Sequence, residues 1–218
     1  MSESLASGFI EEATQELEQG LKDLGIVPHA TLIPQLLQYL ELLNKWNRSF
    51  NLSGVTDVND MVVLHLLDSL ALSPFLRGSR LVDVGTGAGL PGIPLAILHP
   101  DKHFVLIDSN GKKTRFLFQV KVALKLGNVT IENCRIEHYQ SPEQIDMVMC
   151  RAFSSLEDTV LKCEQLLQGG CTLLAMKGRF PQQEVDQLPA AFAVTAISKL
   201  GIPGNESQRH VIEISRRE

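Results

Sequence analysis

The chain has 218 residues, 44% of them hydrophobic, and a formal net charge of −5. That is enough for one full-sized core with a small appendage. No apolar run reaches the roughly 20 residues of a membrane span, and residues 1–12 are acidic rather than basic and then apolar. Neither a membrane partner nor a secretory signal is expected.

The charge is unevenly placed. Residues 1–24 hold six acids (Glu3, Glu11, Glu12, Glu16, Glu18, Asp23) and one base, Lys22, and so carry the whole −5. The same stretch opens a helical region that runs to about Phe75. Phe9, Ala13, Leu17, Leu21 and Leu24 recur at helical spacing, then Leu32, Leu36, Leu37, Leu40, Leu43 and Trp46. A polar loop, N-R-S-F-N-L-S-G-V-T-D, separates these from a third helical stretch over 59–72.

From Arg80 the pattern changes to short apolar strands alternating with helices. Strands are predicted over 81–84, 104–108, 129–132, 145–149 and 172–176, with helices over 112–126 and 156–167. That alternation argues for a parallel, doubly wound sheet. The end of the chain departs from it: runs 192–200 and 210–215 have no room for a crossover helix and should pair antiparallel. The predicted organisation is a helical part, 1–75, packed on a Rossmann-like α/β core, 76–218.

Residues 81–92, L-V-D-V-G-T-G-A-G-L-P-G, hold the most informative motif. A strand ends at Asp83, and Gly85, Gly87 and Gly89 follow at alternate positions. Glycine there permits a sharp turn and a close backbone approach to a ligand, and the helix opening near Pro91 points free N–H groups at the same spot. Gly87, Gly89 and Gly92 also satisfy G-x-G-x-x-G, the dinucleotide fingerprint. Asp108, ending the second strand, suits ribose hydroxyls in either cofactor class. Three features favour S-adenosylmethionine: Asp83 just before the glycines, suited to an ammonium; Glu137 in C-R-I-E-H, placed to bracket an adenine; and the closing antiparallel hairpin. Glu137 also reads as a plain surface acid and Asp83 as a loop cap.

Residues 109–131 contain five bases (Lys112, Lys113, Arg115, Lys121, Lys125) and no acid. They read either as a solvated helix face or as a local basic surface on an acidic protein. Cys134, Cys150, Cys163 and Cys171 lack metal-ligand spacing, so reduced structural thiols in a cytoplasmic protein are expected, with no metal.

Taken together, D-V-G-T-G-A-G-L-P-G-I-P-L-A, L-I-D-S-N-G-K-K, R-I-E, C-R-A-F-S-S-L and A-M-K-G resemble the bacterial 16S ribosomal RNA small-subunit methyltransferase G family. W-N-R-S-F-N-L-S and H-L-L-D-S-L extend the resemblance back to about Leu36. It implies a class I S-adenosylmethionine-dependent methyltransferase fold. It also implies methylation of N7 of a guanosine in the 530 loop (helix 18, near position 527) of 16S rRNA, naked or in the 30S subunit. The family pattern places the methyl donor against Gly85, Leu90, Ile136, Glu137 and Arg151. Many members carry serine at Thr86, proline at Ala88 and valine at Ile136.

Guanine N7 has an in-plane lone pair and no proton to lose, so no general base is required and none is assigned. N7 lies on an edge that A-form RNA hides, so the target must be irregular or extruded. Arg151 and Lys177 are the positioning candidates. His65 reads as structural, and Asp68 either caps or accepts from guanine. Lys112, Lys113, Arg115, Lys177, Arg179 and Arg209, with His210, are candidates for RNA contact, fixing orientation through phosphates. A monomer is expected. The rival readings are a nicotinamide-dependent oxidoreductase, a non-catalytic S-adenosylmethionine- or RNA-binding module, and a methyltransferase acting on another RNA.

Overall fold

A computed structural model describes residues 3–217; the side chains of residues 3–10 and of Val58 lie outside it, and with them the expectations at Glu3 and Phe9. Helix α1 (Glu3–Asp23) buries Ala13, Leu17 and Leu21, four residues apart. Helix α2 (Leu32–Phe50) buries Leu32, Leu36, Tyr39, Leu40, Leu43 and Asn47. It stops where Asn51 turns left-handed at φ 47°, a conformation asparagine tolerates better than most residues.

The third predicted helix is broken into three pieces. Helix α3 (Val58–Met61) widens into a π-helical segment (Val62–Leu67) and returns to α-helix in α4 (Asp68–Leu70). The segment is buried nearly all round, through Met61, Val62, Val63, Leu66, Leu67 and Leu70. The wide turn also carries the polar His65 and Asp68 inside. Such turns cluster at functional sites.

Seven strands form one sheet in the order β3-β2-β1-β4-β5-β7-β6. Strands β1 (Arg80–Val84), β2 (His103–Ile107), β3 (Val129–Glu132), β4 (Met147–Arg151) and β5 (Thr172–Lys177) are parallel. Strands β6 (Phe192–Ile202) and β7 (Asn205–Arg216) form the antiparallel hairpin, and β7 inserts beside β5. Helices α5 (Gly92–Leu98), α6 (Gly111–Leu124) and α7 (Leu156–Lys162) are the crossovers, and α8 (Gln182–Asp186) follows β5.

The central strands read as almost continuous apolar runs because both faces are covered, with Asp83 of β1 the buried exception. Leu81, Leu106, Met149 and Leu174 face a core shared with α1, α2, α5 and α6; Val82, Val105, Val148 and Leu173 face a second core. The helical part therefore shares its core with one side of the sheet.

Two boundaries differ from expectation in a way that matters. Strand β4 runs two residues later than 145–149, because Asp146 is drawn off to accept the Ser79 and Arg80 backbone N–H groups at 2.7 and 2.9 Å. Arg151 is thus the last residue of the strand rather than a loop residue. Strand β2 ends at Ile107, since Asp108 turns its carboxylate back to cap the neighbouring loops.

Candidate active site at the carboxyl edge of the sheet

A cavity of about 310 Å³ opens beyond the tips of β1, β2 and β4, the edge where α/β sheets bind ligands. Gly85, Asp108, Ile136 and Glu137 line it, as do Ser109, Lys113, Ala152, Phe153 and Lys162. Its volume is at the low end of ligand pockets and suits a single nucleoside with a short tail.

The glycine turn is built as its sequence demands. Gly85, Gly87 and Gly89 all have positive φ, 64°, 62° and 93°. A Cβ at Gly85 would run into the ring of Phe153, so the ring lies directly over the loop. Phe153 is delivered there by Ala152, a non-glycine residue at φ 51°, and backbone held in that region concentrates at functional sites. The Lys162 ammonium stands 5.5 Å from the centre of the same ring. Tyr39 of α2 donates its hydroxyl to the Ala88 carbonyl at 2.8 Å, which ties the helical part to the loop.

Asp108 holds the loop from the other side. Its Oδ2 accepts the Gly87 N–H at 3.0 Å and its Oδ1 the Asn110 N–H at 2.8 Å. Lys113 Nζ lies 3.7 Å from Oδ2. Asp108 lines the cavity, and a carboxylate with about four acceptor sites has capacity beyond these partners.

Asp83 is 0% exposed. Its Oδ2 accepts from Thr86 Oγ1 at 2.6 Å and from the Gly92 N–H at 2.8 Å, while its Oδ1 is buried with no partner. Burial pushes its carboxyl up to about 7, against the pull of those two hydrogen bonds and of Arg151. An orphaned buried oxygen of this kind calls for a missing donor. With the glycine turn and Asp108, these residues fit an adenosine-type cofactor that carries a cationic tail.

A second polar cluster joins the π-helical segment to the sheet. Asp68, 1% exposed, accepts from Arg151 Nη1 at 2.9 Å and from Arg209 Nε at 2.8 Å. Arg151 Nη1 also donates to the Leu64 carbonyl at 2.8 Å. Beside it, His65 Nε2 lies 2.7 Å from Ser53 Oγ, and Nδ1 is buried without a partner. Burial lowers the His65 pKa, so the ring is neutral at pH 7.

Residues 32–212 match the family described as rRNA small subunit methyltransferase G. The chain is 46% identical over 201 residues to the ribosomal RNA small subunit methyltransferase G of Nitrosococcus oceani, covering 92% of this chain and 94% of that one. It is 50% identical over 185 residues to the protein of the same name from Vibrio vulnificus, covering 84% and 88%. The chain belongs to the ribosomal RNA small subunit methyltransferase G family. Among solved structures it resembles a ribosomal protein L11 methylase from Lactobacillus delbrueckii (TM-score 0.53, 14% identity, covering 70% of this chain and 77% of that one). A second is a SAM-dependent methyltransferase from Thiobacillus denitrificans bound to S-adenosyl-L-homocysteine (TM-score 0.51, 16% identity, 70% and 91%). At that identity the likeness speaks for the fold, which is the expected mostly parallel methyltransferase sheet closed by an antiparallel hairpin.

For this family member the structure divides the sequence-based candidates. Gly85, Asp108, Ile136 and Glu137 meet in the cavity. Asp83, Gly87, Gly89 and Leu90 stand behind it as the frame of the turn, with the Gly89 and Leu90 N–H groups given to the Thr86 carbonyl. Arg151 and Arg209 are committed to Asp68 rather than to the cavity. Lys177 Nζ donates to the Ser154 carbonyl at 2.8 Å and to Glu184 Oε2 at 2.7 Å, so it fixes the β4–α7 loop. Lys113, expected to face RNA, is in the cavity wall. Lys112, Arg115 and Arg179 are exposed, and His210 Nδ1 lies 2.8 Å from the Gly178 carbonyl. Sequence reasoning missed Ala152, Phe153 and Lys162. The first two sit beside Arg151 in C-R-A-F-S-S and were legible as a motif; Lys162 carried no signal.

Proposed function

We infer that this protein transfers the methyl group of S-adenosylmethionine to N7 of a guanosine in the 530 loop (helix 18) of 16S rRNA. It acts as a cytoplasmic monomer on naked 16S rRNA or on the 30S subunit. The observation that carries this reading is the family match over residues 32–212, on a site whose free acceptors suit a nucleoside with a cationic tail. When bound, S-adenosylmethionine supplies a methyl group on a positively charged sulfur.

The chain's own residues do the rest by placement. Asp108 accepts from the two ribose hydroxyls, while Ile136 and Glu137 bracket the adenine. Asp83, which frames the turn from behind, is the acid toward which the ammonium is directed through water. Phe153 roofs the cavity and excludes solvent. Guanine N7 attacks with its own lone pair, so no residue need take a proton, in keeping with a neutral, buried His65. Alignment is what the protein must provide, and alignment alone is a large catalytic contribution. Arg151, held by Asp68 and Leu64, and Lys177, held by Glu184, act as positioning residues for the two loops at the edge of β4 and β5. Lys112, Arg115 and Arg179 contact phosphates.

The test is incubation with methyl-labelled S-adenosylmethionine and, separately, 30S subunits, protein-free 16S rRNA and tRNA. Label in 16S rRNA alone is the expected result. No transfer to any RNA would leave only a binding module, and label in tRNA would overturn the substrate.

A further inference from the structure

Helix α2 runs antiparallel to α6 along one face of the sheet. Gln35 near the start of α2 donates to the Leu124 carbonyl at the end of α6, at 3.1 Å. Trp46, three turns later, meets Phe116, near the start of α6, at 5.7 Å between ring centres. The last turn of α2 therefore stands beside the first turn of α6, whose Lys113 borders the cofactor cavity. A row of rings follows this junction outward. Phe116 is buried, Trp46 is half-buried, and Phe50 lies 5.1 Å from Trp46 and is 44% exposed.

A lone exposed phenylalanine needs no explanation. This one differs in three respects. The helix end that carries it is pinned: Asn51 caps the helix with its N–H on the Asn47 carbonyl, and the Asn47 side chain clamps the next loop through the Ser53 carbonyl at 2.9 Å and the Ser53 N–H at 2.8 Å. The two helices that meet here also carry exposed cations, Lys45 on α2 and Lys112 and Arg115 on α6. No carboxylate among the described residues lies within ion-pair distance of them. Phe50 also ends the helix that packs beside the start of α6, where Lys113 lines the cofactor cavity. A rigid aromatic face with flanking positive charge is how proteins hold unpaired nucleotides: the ring takes a base and the cations take the backbone.

We propose that Phe50, backed by Trp46 and served by the exposed Lys45, Lys112 and Arg115 of the same two helices, is a stacking platform for an unpaired rRNA nucleotide next to the methylated guanosine. This rests on the rRNA-methyltransferase reading above. The ring keeps the neighbour of the target unstacked from it, so the target guanine is extruded onto a surface that already fits its strand. Preorganisation of the ring lowers the ordering lost on binding.

The experiment compares Phe50→Ala, Phe50→Leu and Phe50→Tyr with the wild type. It measures methyl transfer to 30S subunits and to protein-free 16S rRNA, S-adenosylmethionine affinity by calorimetry, and melting temperature. The chain's one tryptophan, Trp46, gives a second readout, since a base stacked on its neighbour quenches its emission; the probe is a short unpaired oligoribonucleotide. The platform is expected to show a roughly tenfold or greater rise in KM for both RNA substrates in Phe50→Ala and Phe50→Leu, recovery in Phe50→Tyr, unchanged S-adenosylmethionine affinity, and quenching of Trp46 in the wild type. Wild-type KM in both the Ala and Leu variants would overturn it. So would a loss confined to 30S subunits without quenching by RNA, which would make the ring a ribosomal-protein contact. A wild type that methylates no RNA would overturn the underlying reading together with the platform, whereas a fully active wild type with indifferent variants overturns the platform alone.

Discussion

Asp83→Asn separates the electrostatic cost of the buried acid from its role in the loop. The carboxyl rises from an ordinary 3.8 to about 7, chiefly through burial. A difference of that size between unfolded and folded chain amounts to about 4 kcal/mol of destabilisation once the group is ionised in both states. The folded chain binds this proton more tightly than the unfolded chain does. Stability is therefore greatest below the unfolded value and falls as pH rises toward 7, after which it levels. Between about pH 5 and about pH 8 the wild type should lose roughly 3 kcal/mol from this source. Asparagine does not titrate, so the variant should escape that loss. Its amide NH₂ meets either the site of the orphaned oxygen or the Gly92 N–H, at a cost that does not vary with pH. The informative quantity is accordingly the slope. Urea denaturation of both proteins across this range should show the variant gaining on the wild type by about 3 kcal/mol. A gap that stays constant with pH would instead mean that Asp83 is ionised throughout.

Three further outcomes follow from the same geometry. Asp108→Ala removes a carboxylate acceptor from the cavity wall and should weaken S-adenosylmethionine binding roughly tenfold to a hundredfold by calorimetry. Asp68→Asn leaves Arg151 and Arg209 without their shared charge; breaking a buried ion pair is strongly destabilising, and with the two arginines partly exposed a loss of about 2 kcal/mol is expected in denaturant titration, together with slower methyl transfer. His65, whose pKa is lowered by burial, takes up its proton first in the unfolded chain, so it subtracts stability as pH falls below the ordinary value of 6.5. His65→Gln should flatten that acid limb, as thermal melts from about pH 7 to about pH 5 would show.

The sheet was legible because strands covered on both faces are predominantly apolar, as 81–84, 104–108 and 172–176 are apart from Asp83, Asp108 and Thr172. The closing hairpin was legible because Gly204 and its neighbours leave no length for a crossover. The π-helical turn was not: apolar residues surround that segment on every side, so periodicity has no polar face to register. Arg151 could be placed at the carboxyl edge, but its partner Asp68 lies 83 residues earlier in the chain, and no local spacing reveals that pairing. Lys112 and Lys113 are adjacent and identical in charge, yet one faces solvent and the other the cofactor cavity. A count of bases cannot separate them; only the direction in which α6 leaves Asn110 does. Phe153 looks like any core aromatic until the glycine it covers is seen beneath it.

The atom that receives the methyl group can be read directly. A methyl on guanine N7 makes the ring cationic and open to borohydride reduction, after which aniline breaks the strand at that nucleotide. Unmethylated 16S rRNA or 30S subunits should be treated with the protein and S-adenosylmethionine, then with borohydride and aniline, and read by primer extension. One new stop is expected, in the 530 loop, dependent on both protein and methyl donor. Methyl incorporation without strand scission, or scission elsewhere in the RNA, would contradict methylation at N7 in that loop.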